Sequence, residues 1–502
     1  MVDYDVIIVG GGNAAFCAAL SAQEQGARVL VLERAPVEEA GGNSRFTAGL
    51  MRVAYDGVED LQRVMPDLSA DEIARTDFGR YDRGQFLDDI ARVTEYRCDP
   101  HLAETLVNNS LDTVAWMQSK GVRFTAAWGR QAFNINGRFK FWGGLTVEAV
   151  GGGPGLVDAL TSSAKQRDIH IWYQASARAL IVSDDGVQGV RVRHQGKTRE
   201  VSGRAVVLAA GGFQANPEMR ARYLGPGWEL ARVRGTRFNT GDVLKMAMDI
   251  GAAPAGNWSG CHAVAWERYA PEFGDLAVGD QFQKHSYPWG VYINSAGKRF
   301  VDEGADFRNY TYAKYGRVIL NQPGQFAWQI FDAKVRAQLR DEYNIRQVTK
   351  VVADSLEELV SKLDDTDGEA ALKELQAYNA AVRTDIPFDP NVKDGRCTEG
   401  LAIPKSNWAN TLDTPPFEAY AVTCGITFTF GGLRISPDAE VISTEGEPIP
   451  GLYAAGELVG GLFYFNYPGG SGLTNGAVFG KIAGQGAAGF ATTISAGAAA
   501  ES

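Results

Sequence analysis

The first apolar run of the chain, from Asp5 to Val9 (DVIIV), ends in Gly10-Gly11-Gly12. Apolar positions then recur at helical spacing through Ala14, Ala18, Leu20 and Ala22. A second apolar run, ARVLVLE, ends at Glu33. Strand, glycine turn, helix and strand within about 30 residues predict the βαβ unit of a dinucleotide fold. Helical patterning returns from Asp82 to Ser119 and from Gly155 to Arg167, the latter leading into the strand HIWYQ. Hairpin-like strands follow at ALIVSDD, VQGVRVRH and REVSG, and the run Ala205 to Ala210 ends in Gly211-Gly212. Between Gly251 and Val422 the pattern changes. Trp and Tyr become frequent, loops lengthen, and a charged helical stretch spans Leu356 to Val382. At Leu452 the strand LYAAGE restores the earlier style, and a Gly/Ala-rich helix follows. No fixed-period repeat is present. The pattern predicts an α/β protein: a Rossmann-like cofactor domain from residues 1–250 and 423–502, with an α+β capping domain inserted at 251–422.

Composition narrows the classes. The chain has 502 residues, more than one small core needs. At 45% hydrophobic and 22% charged it resembles an ordinary soluble globular protein. A net charge of -11 argues against nucleic acid as the main partner. The five cysteines (Cys17, Cys98, Cys261, Cys397, Cys424) are scattered without a C-x-x-C pair. Neither a disulfide framework nor an iron–sulfur or zinc ligand set is expected. No two histidines have metal-ligand spacing, so no catalytic metal is expected either. No apolar run reaches the ~20 residues of a membrane span. The first strand starts too close to the N-terminus for a signal peptide, so a cytoplasmic location is expected.

Several glycine-rich segments carry candidate chemistry. In Gly10-x-Gly12-x-x-Ala15, Gly10 permits the tight turn and Gly12 lets the backbone approach a pyrophosphate. Ala15 keeps the helix close to the strand. Asn13 and Ala14 open a helix whose N–H groups and dipole favour phosphate. Glu33, followed by Arg34, can accept hydrogen bonds from ribose hydroxyls. The βαβ unit does not separate FAD from NAD, but the later segments suit a longer ligand. Gly41-Gly42-Asn43-Ser44 allows close backbone passage. The strands VVLAAGG, with Ala210 and Gly211 at its tip, and GLYAAGE, with Gly456 and Glu457, end in small residues that a ligand can cross. Glu457 is a candidate partner for a sugar or ribityl hydroxyl. The turn from Tyr467 to Thr474 opens the last helix, whose N–H groups would face a reduced flavin ring.

With these motifs in order, the chain resembles the fumarate reductase/succinate dehydrogenase flavoprotein family and is most similar to its tricarballylate dehydrogenase branch. The likeness rests on DVIIVGGGNAA, GGNS, LAAGGF, NTGD, GKRFVDE, TFGGL, LYAAGE and YPGGSGL, and spans nearly the whole chain. It implies a flavin domain and a capping domain with substrate held between them. It also implies that Glu33, Asn43, Ser44, Asp242, Glu457 and Leu473 bind FAD, with Ala177 near the adenine; Gly472 and Thr474, in the turn that opens the last helix, are further cofactor-binding candidates. The chain departs from the family in three places. No His stands in the Gly41–Ser44 segment where covalent members attach flavin, so noncovalent FAD is expected. Phe428 occupies the position of a carboxylate-binding His, and Tyr467 that of an Arg. Tyr467 before Pro-Gly resembles ketosteroid dehydrogenases, where this Tyr bonds the substrate carbonyl.

Taking hydrogen from adjacent carbons requires a polarised carbonyl or carboxylate, a base for the α-proton and a hydride acceptor. Tyr467 and the N–H groups around Gly470 and Ser471 are candidates for polarisation; packing beside the flavin is the other role open to Tyr467. Arg308 matches the family's proton-shuttling Arg with a one-residue shift. An Arg is a poor base, so carboxylate anchoring, or a salt bridge to Asp306 or Glu303, stays open. His262 falls where fumarate reductases keep a substrate His, or is a buried structural one; Tyr287, close to His285 in HSYPWG, is a further substrate-binding candidate. Phe428, Phe430, Tyr464 and Phe465 are expected to line an aromatic wall. The expected activity is an FAD-dependent dehydrogenase that forms a C=C bond next to a carbonyl or carboxylate of an acid, cyclic ketone or keto acid. A fumarate-reductase-like ene reductase and a non-catalytic electron carrier are the alternatives. Oxygen, a quinone or a separate protein would take the electrons.

Overall fold

The computed structural model describes residues 2–500. Its larger sheet has eight strands. β1 (Tyr4–Val9) lies parallel between β2 (Val29–Leu32) and the long strand β6 (Lys197–Leu208). Helix α1 (Asn13–Glu24) joins β1 to β2 as the βαβ pattern predicts. Val6 to Val9 and all of β2 are buried. That explains why they read as continuous apolar runs: a parallel sheet is covered on both faces. Helix α2 (Gly152–Gln166) leads to β3 (His170–Trp172), which extends the sheet beyond β2. The hairpin strands β4 (Ala175–Ser183) and β5 (Gly186–His194) pair antiparallel with each other, and β5 pairs antiparallel with the first half of β6.

The second half of β6 also pairs parallel with β12 (Pro448–Ala454), and β11 (Glu440–Ile442) pairs with β12. Chain ends therefore meet in one sheet. Val9, Leu32, Leu208 and Ala454 finish the parallel strands at a common edge, where the glycine segments gather. The last helix, α5 (Ser471–Ala500), packs on α1. Its glycine content follows from the packing distance. A Cβ on Gly480 would come 2.4 Å from the Ala14 carbonyl oxygen, and one on Gly484 2.1 Å from that of Ala18.

A second, six-stranded sheet is organised by the 17-residue strand β10 (Phe417–Leu433). Strand β7 (Pro254–Glu267) runs antiparallel along its Val422–Leu433 part. Strand β9 (Phe326–Phe331), itself paired with β8 (Val291–Asn294), runs along Glu418–Thr423. Residue 423, where composition divides the chain, thus lies inside β10. Helix α4 (Tyr312–Leu320) rests directly on β7, because Gly316 carries no Cβ to meet the Ala263 carbonyl carbon at 2.4 Å. This contact sets Tyr312 beside His262.

Two helical stretches are each broken in the structure. The Asp82–Ser119 pattern forms two helices, Arg83–Val93 and Pro100–Ser119. Glu95 and Tyr96 take positive φ between them, and the Asp99 side chain caps the second by accepting from His101 and Leu102 N–H groups. The Leu356–Val382 pattern likewise splits into Leu356–Ser361 and Gly368–Ala381, with Asp367 as the cap of the second. A charged, amphipathic pattern does not reveal such caps when the apolar phase resumes after them.

Candidate active site

The glycine segments line one end of a long cleft along the sheet edge, which encloses about 1950 Å³ with its mouth. Gly10 has φ +119°, and a Cβ there would come 2.3 Å from the Ala209 oxygen, so the turn itself demands glycine. Gly12 differs. Its φ is -90°, and a Cβ would meet only the Ser44 hydroxyl at 3.4 Å and the Gly41 oxygen at 3.6 Å. Neither backbone nor neighbours require glycine there; the Cβ would fill the cleft. A phosphate group brought against the start of α1 does require it.

The flanking side chains frame this cradle. The Asn13 N–H donates to Ser44 Oγ at 3.1 Å, and Asn13 Nδ2 donates to the Leu473 oxygen at 2.8 Å, tying α1 to the start of α5. Asn43 accepts from the Thr236 N–H at 2.9 Å and donates to the Thr427 oxygen, tying the loop to β10. Glu33 is buried, and its carboxylate accepts from the Ala35 N–H at 2.7 Å. Burial pushes this carboxyl up to about 7, against the pull of backbone N–H groups. Arg34 pairs with Asp242 at 2.7 Å on the rim. Ala177, Ala210, Gly211, Gly456, Gly42 and Ala14 line the floor and walls. Glu457, also pushed up to about 7 by burial, accepts from the Thr429 N–H at 2.9 Å. Gln214 and Asn239 donate to it at 3.2 and 3.3 Å. Ala15, Gly41 and Thr474 stand one layer behind the surface. Ala15 is core; a Cβ on Gly41 would meet Val157 at 2.8 Å; Thr474 donates to the Gly470 oxygen at 3.3 Å.

At the other end of the cleft, the Tyr467 and Tyr312 hydroxyls hydrogen-bond to each other. The Tyr467 ring packs edge-on against Phe428, Phe463 and His262, with centroids 5.1, 5.4 and 4.9 Å away. His262 also lies 5.0 Å from Tyr312, and His285 lies 4.9 Å from Tyr312 on centroids. Both ring nitrogens of His262 are buried without a partner, as is Nε2 of His285. Burial, reinforced by Arg234, holds both imidazoles well below the usual histidine range, so they are neutral. Burial, followed by the neighbouring Tyr312, pushes the Tyr467 phenol well above 10, so it keeps its proton. Arg52 fixes the turn behind it: Nε donates to the Gly469 oxygen at 2.8 Å, and its backbone N–H to the Gly470 oxygen at 3.3 Å.

Arg308 lines the cleft, and neither carboxylate near it in sequence is its partner. Asp306 pairs with Arg92 at 2.7 Å, and Glu303 with the buried Arg299 at 2.5 Å. Arg308 instead donates to the Arg130 oxygen at 2.7 Å.

Three substrate-binding candidates lie away from the cleft: Tyr464, Phe465 and Tyr287. Phe463, not Tyr464 or Phe465, faces the cleft beside Phe428 and Phe430. Phe465 takes φ +60°, which turns the chain so that 463 and 467 point inward while Phe465 stays 41% exposed, packed on Tyr464. Tyr287 is buried outside the cleft. Its hydroxyl bonds Thr311 at 2.6 Å, and its ring packs on Tyr292 and Tyr315. Gly470 and Gly472 line the cleft, whereas the Ser471 hydroxyl donates inward to the Pro468 oxygen. Tyr312, Phe463, Arg130, Arg234 and Arg340 line it without any motif to announce them.

Residues 5–473 match the family described as FAD binding domain. The chain belongs to the fumarate reductase/succinate dehydrogenase-like family of FAD-binding flavoproteins. It is 30% identical over 491 residues to a fumarate reductase (cytochrome) of Shewanella frigidimarina, covering 96% of this chain and 77% of that protein. It is 26% identical over 568 residues to the 4-oxocyclohexanecarboxylate 2-dehydrogenase of Sinomonas cyclohexanicum, covering 99% of this chain and 95% of that one. Among solved structures, the open form of a flavocytochrome c3 fumarate reductase superposes with TM-score 0.72 at 27% identity, covering 97% and 78% of the two chains. The 3-ketosteroid delta1-dehydrogenase of Sterolibacterium denitrificans shares the fold, with TM-score 0.73 at 21% identity and 97% and 99% coverage. This flavoprotein is an FAD-dependent oxidoreductase acting on CH–CH or C=C groups. Gly12, the two buried glutamates and the N-termini of α1 and α5 fit the phosphates and hydroxyls of FAD. Among the described residues, no cluster of His, Cys, Asp or Glu could hold a metal ion, and no helix is long and apolar enough to cross a membrane.

Proposed function

We propose that this flavoprotein is a dehydrogenase that introduces a C=C bond next to a substrate carbonyl. The observation that carries the reading is the Tyr312–Tyr467 hydroxyl pair, set in an aromatic wall beside two neutral, unpartnered histidines. The chemistry that FAD would supply when bound is acceptance of hydride from the β-carbon. Tyr467 donates a hydrogen bond to the carbonyl oxygen, where negative charge grows as the α-proton leaves. Tyr312 in turn donates to Tyr467, holding its hydroxyl in place. His262 has a free lone pair beside both phenols and accepts the α-proton at a ring nitrogen. The aromatic wall of Phe428, Phe430 and Phe463 excludes water and suits a cyclic substrate body. The likeness to a 4-oxocyclohexanecarboxylate dehydrogenase supports this direction of reaction.

The reverse reaction, ene reduction with electrons from a partner, is favoured by the likeness to fumarate reductase. Phe428 and Tyr467 stand against a dicarboxylate there, because neither carries a positive charge. A carrier role is opposed by the enclosed substrate end of the cleft. Electrons leave to oxygen, a quinone or a separate protein, and FAD is held without a covalent bond. Anaerobic mixing with saturated cyclic ketones and keto acids tests the reading: flavin bleaching with formation of the α,β-unsaturated product supports it. Bleaching by none of them, with reoxidation of reduced enzyme by the corresponding enones, supports the reductase.

A further inference from the structure

We propose that the substrate carries a carboxylate, and that Arg130, Arg308 and Arg340 clamp it at the cap end of the cleft, away from the Tyr312–Tyr467 pair. This inference rests on the proposed carbonyl-adjacent oxidation and adds its substrate class and specificity residues. Arg308 Nη2 and Arg340 Nη1 both donate to the Arg130 carbonyl oxygen, at 2.7 and 3.1 Å. Two guanidinium groups are therefore held side by side on one oxygen, and Arg130 itself lines the same cleft. Like charges so placed repel unless an anion joins them.

The fixed carboxylates do not account for all three. Asp280 lines this end and pairs with Arg130 at 3.2 Å, but Gln283 also donates to it at 2.8 Å. Glu342 pairs with Arg340 Nε at 3.3 Å and does not line the cleft. Burial pushes the Glu148 carboxyl up, towards its neutral form, and it too stands outside the cleft. Among the described residues, no carboxylate pairs with Arg308. The planar forks of Arg308 and Arg340 match the two oxygens of a substrate carboxylate.

The position fits an oxo acid. His285 touches Tyr312, and the next residue, Ser286, accepts from the Arg340 N–H at 3.2 Å. His285 thus links the carbonyl partner Tyr312 to the backbone that carries Arg340, which suits a substrate bearing both a carbonyl and a carboxylate.

Calorimetry on the FAD-loaded protein tests the clamp without turnover, using cyclohexanecarboxylate and the neutral cyclohexanecarboxamide. The acid should bind about 10- to 100-fold more tightly than the amide, as a charge-assisted pair implies. Arg340→Met and Arg130→Met should each remove most of that preference while amide affinity stays within about threefold. Equal binding of acid and amide by the unaltered protein, or no measurable binding of the acid, would overturn the clamp, as would an unchanged preference in both variants. Selective acid binding by a protein whose flavin no oxo acid bleaches would leave the clamp standing and remove the dehydrogenase reading. Efficient bleaching by ketones without any acid preference would do the reverse.

Discussion

Tyr467→Phe removes one oxygen and little else. The ring is 5% exposed and keeps its contacts with Phe428, Phe463 and His262. Two losses follow. In the resting protein the Tyr312 hydroxyl loses its partner, which costs about 1–3 kcal/mol of stability for a buried group. In the transition state the carbonyl oxygen loses a donor, worth about 2.7–4 kcal/mol, or roughly 100- to 1000-fold in rate. The second loss should appear in the limiting rate of flavin reduction, not in substrate affinity, because the charge on oxygen develops only as the proton leaves. Rapid anaerobic mixing with an oxo acid, followed at the flavin absorbance, separates the two. Tyr467 is held protonated above pH 10, so its donor role should not titrate between pH 6 and 9. A rate change below about threefold, with FAD still bound, would refute the role of Tyr467 in polarisation. It would leave the N–H groups at Gly470 and Gly472 as the carbonyl partners.

Other consequences are open to simple measurement. Acid precipitation should release intact FAD into the supernatant; flavin retained in the pellet would contradict noncovalent binding. Arg308→Ala should raise the oxo acid concentration that half-saturates flavin reduction by about 10- to 100-fold and Arg308→Lys by less, since Lys retains charge but not the planar fork; unchanged saturation in the Ala variant would make Arg308 structural. FAD affinity should rise with pH up to about 7, where Glu33 ionises, because ribose hydroxyls donate to the charged carboxylate and burial alone keeps it protonated below that. Glu33→Gln should flatten this dependence and weaken binding by about 1.5–3 kcal/mol; an unchanged titration curve would remove Glu33 from the ribose.

The cofactor end was legible in the sequence because its chemistry is local. A strand, a glycine turn and an acidic residue about 20 positions on place each other, whatever the rest of the chain does. The fold does not force glycine at Gly12, so the pattern there points to a ligand. The end of the cleft with the Tyr312–Tyr467 pair and the arginines is assembled from distant segments. Arg130 and Arg340 meet at one carbonyl across 210 residues, and no spacing encodes that. Tyr312 enters through Gly316, whose missing Cβ lets α4 lie on β7. Tyr464 and Phe465 misled because a single positive φ at Phe465 reverses which side chains face inward. Whether Arg308 pairs with Asp306 or Glu303 could not be judged from sequence, since these two take partners at Arg92 and Arg299.

Anaerobic mixing of the FAD-loaded protein with 4-oxocyclohexanecarboxylate, with analysis of the organic product, tests the central claim most directly. The account predicts bleaching of the flavin and one equivalent of the α,β-unsaturated keto acid per flavin. A flavin that stays oxidised with this and every other saturated ketone or keto acid would contradict it.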